Sequence, residues 1–84
     1  MILNVFKEVI AILDDVLSLQ GRAASMTAET PLLGAVPELD SMAVVGIIGA
    51  LEERFEIVFD DDEIDGQTFA TVGSLVDAVA GKLG

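Results

Sequence analysis

Apolar positions recur along most of this chain with a helical period. At about 100° per residue, Ile2, Val5, Phe6, Val9, Ile12, Leu13, Val16 and Leu17 share one broad face, while Lys7, Glu8, Asp14 and Asp15 fall opposite. The spacing predicts an amphipathic helix over 2–17 that packs on a core. A second pattern runs from 41 to 55. There Val44, Ile48, Leu51 and Phe55 cluster, Val45 and Ile47 flank them, and Met42, Ala43, Gly46, Gly49, Ala50 and Glu53 fall on the other side. Asp40 or Ser41 is positioned to cap it. A third pattern follows Thr71 as cap, with Val72, Leu75, Val76, Val79 and Leu83 on one side and Gly73, Ser74 and Asp77 on the other.

Two polar stretches separate these patterns. Gly21, Pro31, Gly34 and Pro37 punctuate residues 18–40, a connection longer than the roughly 12–15 residues usual within a compact domain. It carries Leu32, Leu33, Val36 and Leu39, so it is expected to fold back onto the core. The run Asp60-Asp61-Asp62-Glu63, then Ile64 and Asp65-Gly66, suits the start of a short helix, because acids favour a helix N-terminus. The expected fold class is therefore all-α: a four-helix bundle in a single domain over 1–84, with three main helices, one short third helix and a long first loop. Gly46 and Gly49 each disfavour the second helix by about 1 kcal/mol relative to alanine. Either drift on an exposed face or a flat surface approached by another protein accounts for them.

Composition narrows the possible functions. The chain has 84 residues, 52% apolar and 5% aromatic, with no Trp or Tyr, so its core must be aliphatic. Its net charge of −11 sets 15 acidic residues against Lys7, Arg22, Arg54 and Lys82. That balance argues against nucleic acid, which requires cations facing phosphates, and against an anionic membrane surface. It favours basic partners. Charges within the N-terminal helix are incompatible with a signal-peptide core and with a membrane span. There is no Cys, hence no disulfide and no thiol of the protein's own.

The segment "PELDSM", residues 37–42, places Ser41 after an acid and before an apolar run. A nucleophilic serine needs an adjacent base and an orienting group, yet the chain has no His, and the G-x-S-x-G elbow is missing. Asp61, Glu63, Asp65 and Gly66 imitate the start of a calcium loop. Its twelfth position, however, is Val72, where a bidentate Glu is required, so only loose cation association is expected there and no dedicated metal site. Transition metals find no His or Cys, and phosphate-loop fingerprints are absent. No catalytic residue is expected. Ser41 remains a candidate acceptor, since a helix N-terminus offers free N–H groups and a positive dipole end that suit a phosphate. On the residues alone, simple capping of the helix stays open beside that role.

"TPLLGAVPELDSM", "LEERFEIVFDDDEID" and "FATVGSLVDAV" together resemble the acyl carrier protein family, across nearly the whole chain. The resemblance implies that a phosphopantetheinyl transferase attaches 4′-phosphopantetheine from coenzyme A to Ser41, and that the arm's thiol holds acyl groups as thioesters. Asp40 would orient the transferase and its magnesium. Leu39, Met42 and Gly46, with the acids Glu52, Glu53, Asp60, Asp61, Asp62 and Glu63, would meet partners. Val44, Ile48, Leu51 and Phe55 would line the interior that shelters the acyl chain. Carriers of primary fatty-acid synthesis usually place acids early in the second helix, where this chain has Ala43 and Gly46. This departure implies a specialised fatty-acid or polyketide-type carrier with more apolar docking near the serine. The expected partners are acyl-activating, synthase or acyltransferase enzymes with basic docking patches. The chain starts at Met1 without a linker, which fits a stand-alone carrier; a monomeric state and a cytoplasmic location are the further expectations. An aminoacyl carrier of the D-alanyl type and an unmodified helical interaction module are the alternatives.

Overall fold

The computed structural model describes residues 4–37 and 39–83. The expectation for Ile2 lies outside them, and so does the side chain of Asp61. Three α-helices carry the fold: α1 (Val5–Leu17), α2 (Ser41–Phe55) and α3 (Val72–Leu83). Short 3-10 turns form at Arg22–Ser25 and Asp61–Glu63. No strand occurs among the described residues, only an isolated bridge between Pro31 and Thr71. The architecture is all-α, as expected.

Each helix is bounded by local chemistry. α1 is capped at its start by Asn4, whose side chain accepts the Lys7 N–H at 3.0 Å. It stops at Ser18, which turns left-handed and returns its N–H to the Asp14 and Asp15 carbonyls. α2 matches its expected span. α3 begins with a reciprocal cap: Thr71 Oγ1 accepts the Ser74 N–H at 3.1 Å, and Ser74 Oγ accepts the Thr71 N–H at 3.0 Å.

α1 packs against both α2 and α3. Val9, Leu13 and Leu17 of α1 meet Ile47, Ile48, Leu51 and Phe55 of α2 and Val72, Leu75 and Val79 of α3 in one buried cluster. Burying each such side chain contributes about 1.5–3 kcal/mol. The buried stripe of α2 is rotated from its expected centre. Ile47, expected at the flank, is fully buried, Val44 is only half-buried, and Val45, expected at the other flank, is 70% exposed. α1 packs along this helix, meeting it near Gly46 through Val16 and at Arg54 through Glu8. Ala43, expected on the open face, packs half-buried against the core. Gly46 also turns toward α1, since a Cβ there would lie 3.3 Å from Val16 Cγ1. Its lack of a side chain therefore relieves crowding within the protein.

The long connection does fold back, through backbone bonds to the approach to α3. Leu32 and Leu33 donate to the Ala70 and Phe69 carbonyls at 2.9 and 3.0 Å. In return, Val72 and Gly73 donate to Thr30 and Ala28 at 2.9 and 2.7 Å. Gly73, expected on the free side of its helix, sits at this crossing, and a Cβ there would stand 2.8 Å from the Ala28 carbonyl oxygen. The Arg22–Ser25 turn is held by Asp14, whose carboxylate accepts the Gly21 N–H at 2.9 Å. Gly21 supplies the left-handed φ of +91° that the turn needs.

The short third element is a single 3-10 turn, Asp61–Glu63. Side chains there satisfy the backbone locally, which competes with helix propagation. Glu63 accepts the Asp60 N–H at 2.9 Å, Asp65 accepts the Thr68 N–H at 2.9 Å, and the Thr68 hydroxyl donates to the Glu63 carbonyl at 2.7 Å.

Candidate functional site

Asp40 is the N-cap of α2. Its backbone is extended, and its carboxylate accepts the Ala43 N–H at 2.8 Å, while its carbonyl accepts the Val44 N–H at 2.9 Å. Ser41 is thereby released from capping. It is the first residue of the helix and is exposed, and its hydroxyl makes no hydrogen bond among the described residues.

A cleft of about 400 Å³ opens beside it. Leu39 and Val44 form one wall, Leu33 of the long connection another, and Ile64 and Phe69 of the segment before α3 a third. Asp40, Ser41, Asp65 and Gly66 lie along its rim. The volume falls in the range of small-ligand sites, roughly 300–1,000 Å³. Among the residues expected to line an acyl pocket, Val44 borders this cleft. Ile48, Leu51 and Phe55 are core residues, buried where the helices meet. Leu33, Ile64, Gly66 and Phe69 were missed. A signal existed for two of them: Ile64 and Phe69 are the only large apolar side chains between Asp60 and Ala70, and an isolated apolar residue in a polar segment has a buried destination.

The residues expected to meet partners divide into two groups. Met42, beside Ser41, is 80% exposed, and Glu53, Asp60 and Asp62 are exposed as well. Leu39 is 7% exposed and lines the cleft. Glu52 is half-buried and accepts the Phe59 N–H at 2.8 Å, fixing the turn after α2. Glu63 pairs with Lys82, whose ammonium also lies 5.5 Å from the Phe59 ring centre.

Lys82, helped by the Asp60 N–H, holds the Glu63 carboxyl below the usual carboxylate range. The Thr68 N–H and hydroxyl do the same for Asp65. Glu63 and Asp65 therefore help to shape their own segment, while the Asp60 and Asp62 side chains stay exposed. Among the described residues no group of three carboxylates converges as a metal site, and no helix is long and apolar enough to cross a membrane.

The family model described as "phosphopantetheine attachment site" matches residues 3–79. The fold superposes on the solution NMR structure of a holo acyl carrier protein from Nitrosomonas europaea with a TM-score of 0.89. The two chains are 53% identical, over 96% of this chain and 98% of the other. No curated protein matches. The chain belongs to the acyl carrier protein family, whose members bear phosphopantetheine. Its cofactor is covalently attached 4′-phosphopantetheine, and its role is that of a carrier, not of an enzyme.

Proposed function

We propose that Ser41 is the attachment point and that the neighbouring cleft receives the acyl cargo. The observation that carries this reading is the division of labour at the start of α2, where Asp40 caps the helix and the Ser41 hydroxyl stays exposed beside an apolar cleft. The surroundings fit the group. A phosphodiester on Ser41 would sit at the N-terminus of a 15-residue helix, where backbone N–H groups and the dipole favour an anion despite the overall negative charge. When bound, the group supplies a thiol that carries acyl units as thioesters, which a chain without Cys lacks.

The cargo reading follows from the cleft's walls. Leu33, Leu39, Val44, Ile64 and Phe69 offer aliphatic and aromatic surface, which favours an acyl chain over a charged aminoacyl group. A specialised fatty-acid or polyketide-type pathway is the reading this supports. Partners approaching Ser41 meet apolar surface first, at Met42 and Val45, and acids further off, at Glu53, Asp60 and Asp62. Transferases and synthases with an apolar contact flanked by basic residues suit that layout.

Intact mass tests the assignment. Incubated with coenzyme A and a broad-specificity phosphopantetheinyl transferase, the protein should gain one phosphopantetheinyl group, and Ser41→Ala should gain none. Loading of the alanine variant would place the attachment elsewhere.

A further inference from the structure

A second cavity, of about 420 Å³, opens between the first turns of α1 and the Arg22–Ser25 turn. Half-buried Phe6, Ile10 and Met26, with Ala24, supply its apolar surface, and Asn4 and Lys7 are its polar members. It shares no lining residue with the cleft beside Ser41, and the two lie toward opposite ends of the bundle. Val16, near the end of α1, stands by Gly46 in the first half of α2, while Glu8, near the start of α1, pairs with Arg54 near the end of α2. The two helices are therefore antiparallel, and residues 41 and 54 are about 20 Å apart along α2.

Lys7 gives this cavity its charge preference. The other three cations are engaged: Arg54 with Glu8, Lys82 with Glu63, and Arg22 through its side-chain N–H on the Leu19 carbonyl at 3.0 Å. The Lys7 ammonium makes no ion pair or hydrogen bond among the described residues. The sequence explains this in a chain with 15 acids. A helical lysine finds partners three and four residues away, and the described residues at those positions are Asn4, Ile10 and Ala11. Glu8 is neutralised by Arg54, and Asp14, the next acid along α1, is about two turns away, beyond the Debye length of about 8 Å at physiological salt. Asn4 uses its Oδ1 to cap the Lys7 N–H at 3.0 Å, which leaves its amide N–H groups to donate elsewhere. An uncompensated cation and an amide donor beside apolar walls match a carboxylate with a hydrocarbon tail. We propose that this cavity binds free straight-chain carboxylates, with the tail against Phe6, Ile10 and Met26 and the headgroup at Lys7, independently of anything carried on Ser41.

Titration of the full chain with octanoate, followed by NMR, tests this. Shifts at Phe6, Ile10 and Met26 should saturate, and a longer tail should tighten binding by up to about fourfold per methylene buried. Octylammonium, of equal length and opposite charge, should bind there at least about fivefold more weakly. Lys7→Gln should weaken octanoate by up to about fivefold, the reach of an exposed ion pair, and Lys7→Glu should weaken it further. Both variants should fold as wild type does, since the Lys7 side chain is exposed. Ala24→Leu, at an exposed wall position, should fill the cavity and block binding; should it not fold, the two Lys7 variants decide. Ser41→Ala should bind octanoate like wild type, so failure of the attachment reading and failure of this site are seen separately. Shifts confined to Leu33, Val44 and Phe69 would put the ligand in the other cleft. Octylammonium binding as tightly as octanoate, or Lys7→Glu binding as tightly as wild type, would reduce the cavity to unselective apolar surface. Each of these results overturns the proposal, as does the absence of saturable shifts.

Discussion

The Asp40 carboxylate accepts the Ala43 N–H at 2.8 Å, and the adjacent Ser41 hydroxyl, one residue into α2, is left without a partner among the described residues. Neighbouring residues thus separate two roles that a capping serine would have to combine. A serine that capped the helix would lose its cap on modification, and the helix would fray at its most important turn. With Asp40 as cap, the Ser41 oxygen is available for esterification without any change to the hydrogen bonds of the fold.

That separation predicts opposite responses from adjacent substitutions. Asp40→Ala should lower stability by about 1 kcal/mol, the usual worth of an N-cap, read as a drop in thermal midpoint. Asp40→Asn should keep most of the stability, since asparagine caps as well as aspartate. Ser41→Ala should fall within about 0.5 kcal/mol of wild type, as expected for an exposed position without partners. If Asp40→Asn loads poorly although its stability is preserved, the aspartate charge serves the transferase in addition to the cap.

The main helices were legible in the sequence because their apolar spacing is strong and their caps are chemically explicit. The span of α2 and the cap at Thr71 are examples. How the walls of the cleft come together was not legible, although Val44 was expected and Ile64 and Phe69 carried a burial signal, because it is set by contacts between segments far apart in the chain. Leu33 and Phe69 meet through a backbone hydrogen bond between the long connection and the approach to α3, and no periodicity reports such a pairing. The rotation of α2 was hidden for a similar reason. Spacing defines a stripe, but which edge of it is covered depends on where the other elements lie; Ile47 turned out fully buried and Gly46 close to Val16 of α1.

Acid should release the segment that forms one cleft wall. Glu63 and Asp65 titrate lower in the folded protein than in the unfolded chain, where carboxylates have pKa values of about 4. The folded state therefore binds fewer protons than the unfolded one. The stability these groups contribute is complete above the unfolded values and is lost as pH falls below about 4 through the lowered folded values. Protonation also relieves the repulsion of a chain with net charge −11, so absolute stability is a poor readout. The difference between wild type and Lys82→Met isolates the pair. Methionine retains apolar bulk near Phe59 but not the charge on Glu63. The gap in urea midpoint should be widest near neutrality and close in acid, and a gap independent of pH would falsify this account.

Two helical glycines should respond to alanine with opposite signs. At Gly49, inside α2, a Cβ meets nothing within 4 Å, so alanine should raise stability by about 0.5–1 kcal/mol. At Gly73 the Cβ would press on the Ala28 carbonyl oxygen at 2.8 Å, a backbone atom that is itself hydrogen-bonded to Gly73. Alanine there should lose about 1–3 kcal/mol. In a domain of this size each kcal/mol moves the thermal midpoint by about 4–8 °C, so calorimetry resolves both shifts. A neutral Gly73→Ala would mean that the long connection shifts freely against α3.

Docking at α2 is best probed at Val45. Acids introduced at Ala43 or Gly46, the positions that periodicity places on the open face, would confound packing with electrostatics. Ala43 is half-buried against the core, and any Cβ at Gly46 already crowds Val16 at 3.3 Å. Val45 is 70% exposed, so Val45→Glu should leave stability within about 0.5 kcal/mol. The added charge lies one helical turn from Ser41, near the Debye length of about 8 Å at physiological salt, and should steer basic partners toward it. Loading by a transferase with a basic docking patch, or turnover by such a synthase, should then quicken, with the gain shrinking as salt rises. Met42→Ser removes apolar contact from a residue 80% exposed; it should slow the protein's own partners with stability again unchanged. If Val45→Glu leaves all rates as they were and Met42→Ser does too, this face of α2 is not where partners dock, and the exposed acids Glu53, Asp60 and Asp62 become the surface to test next.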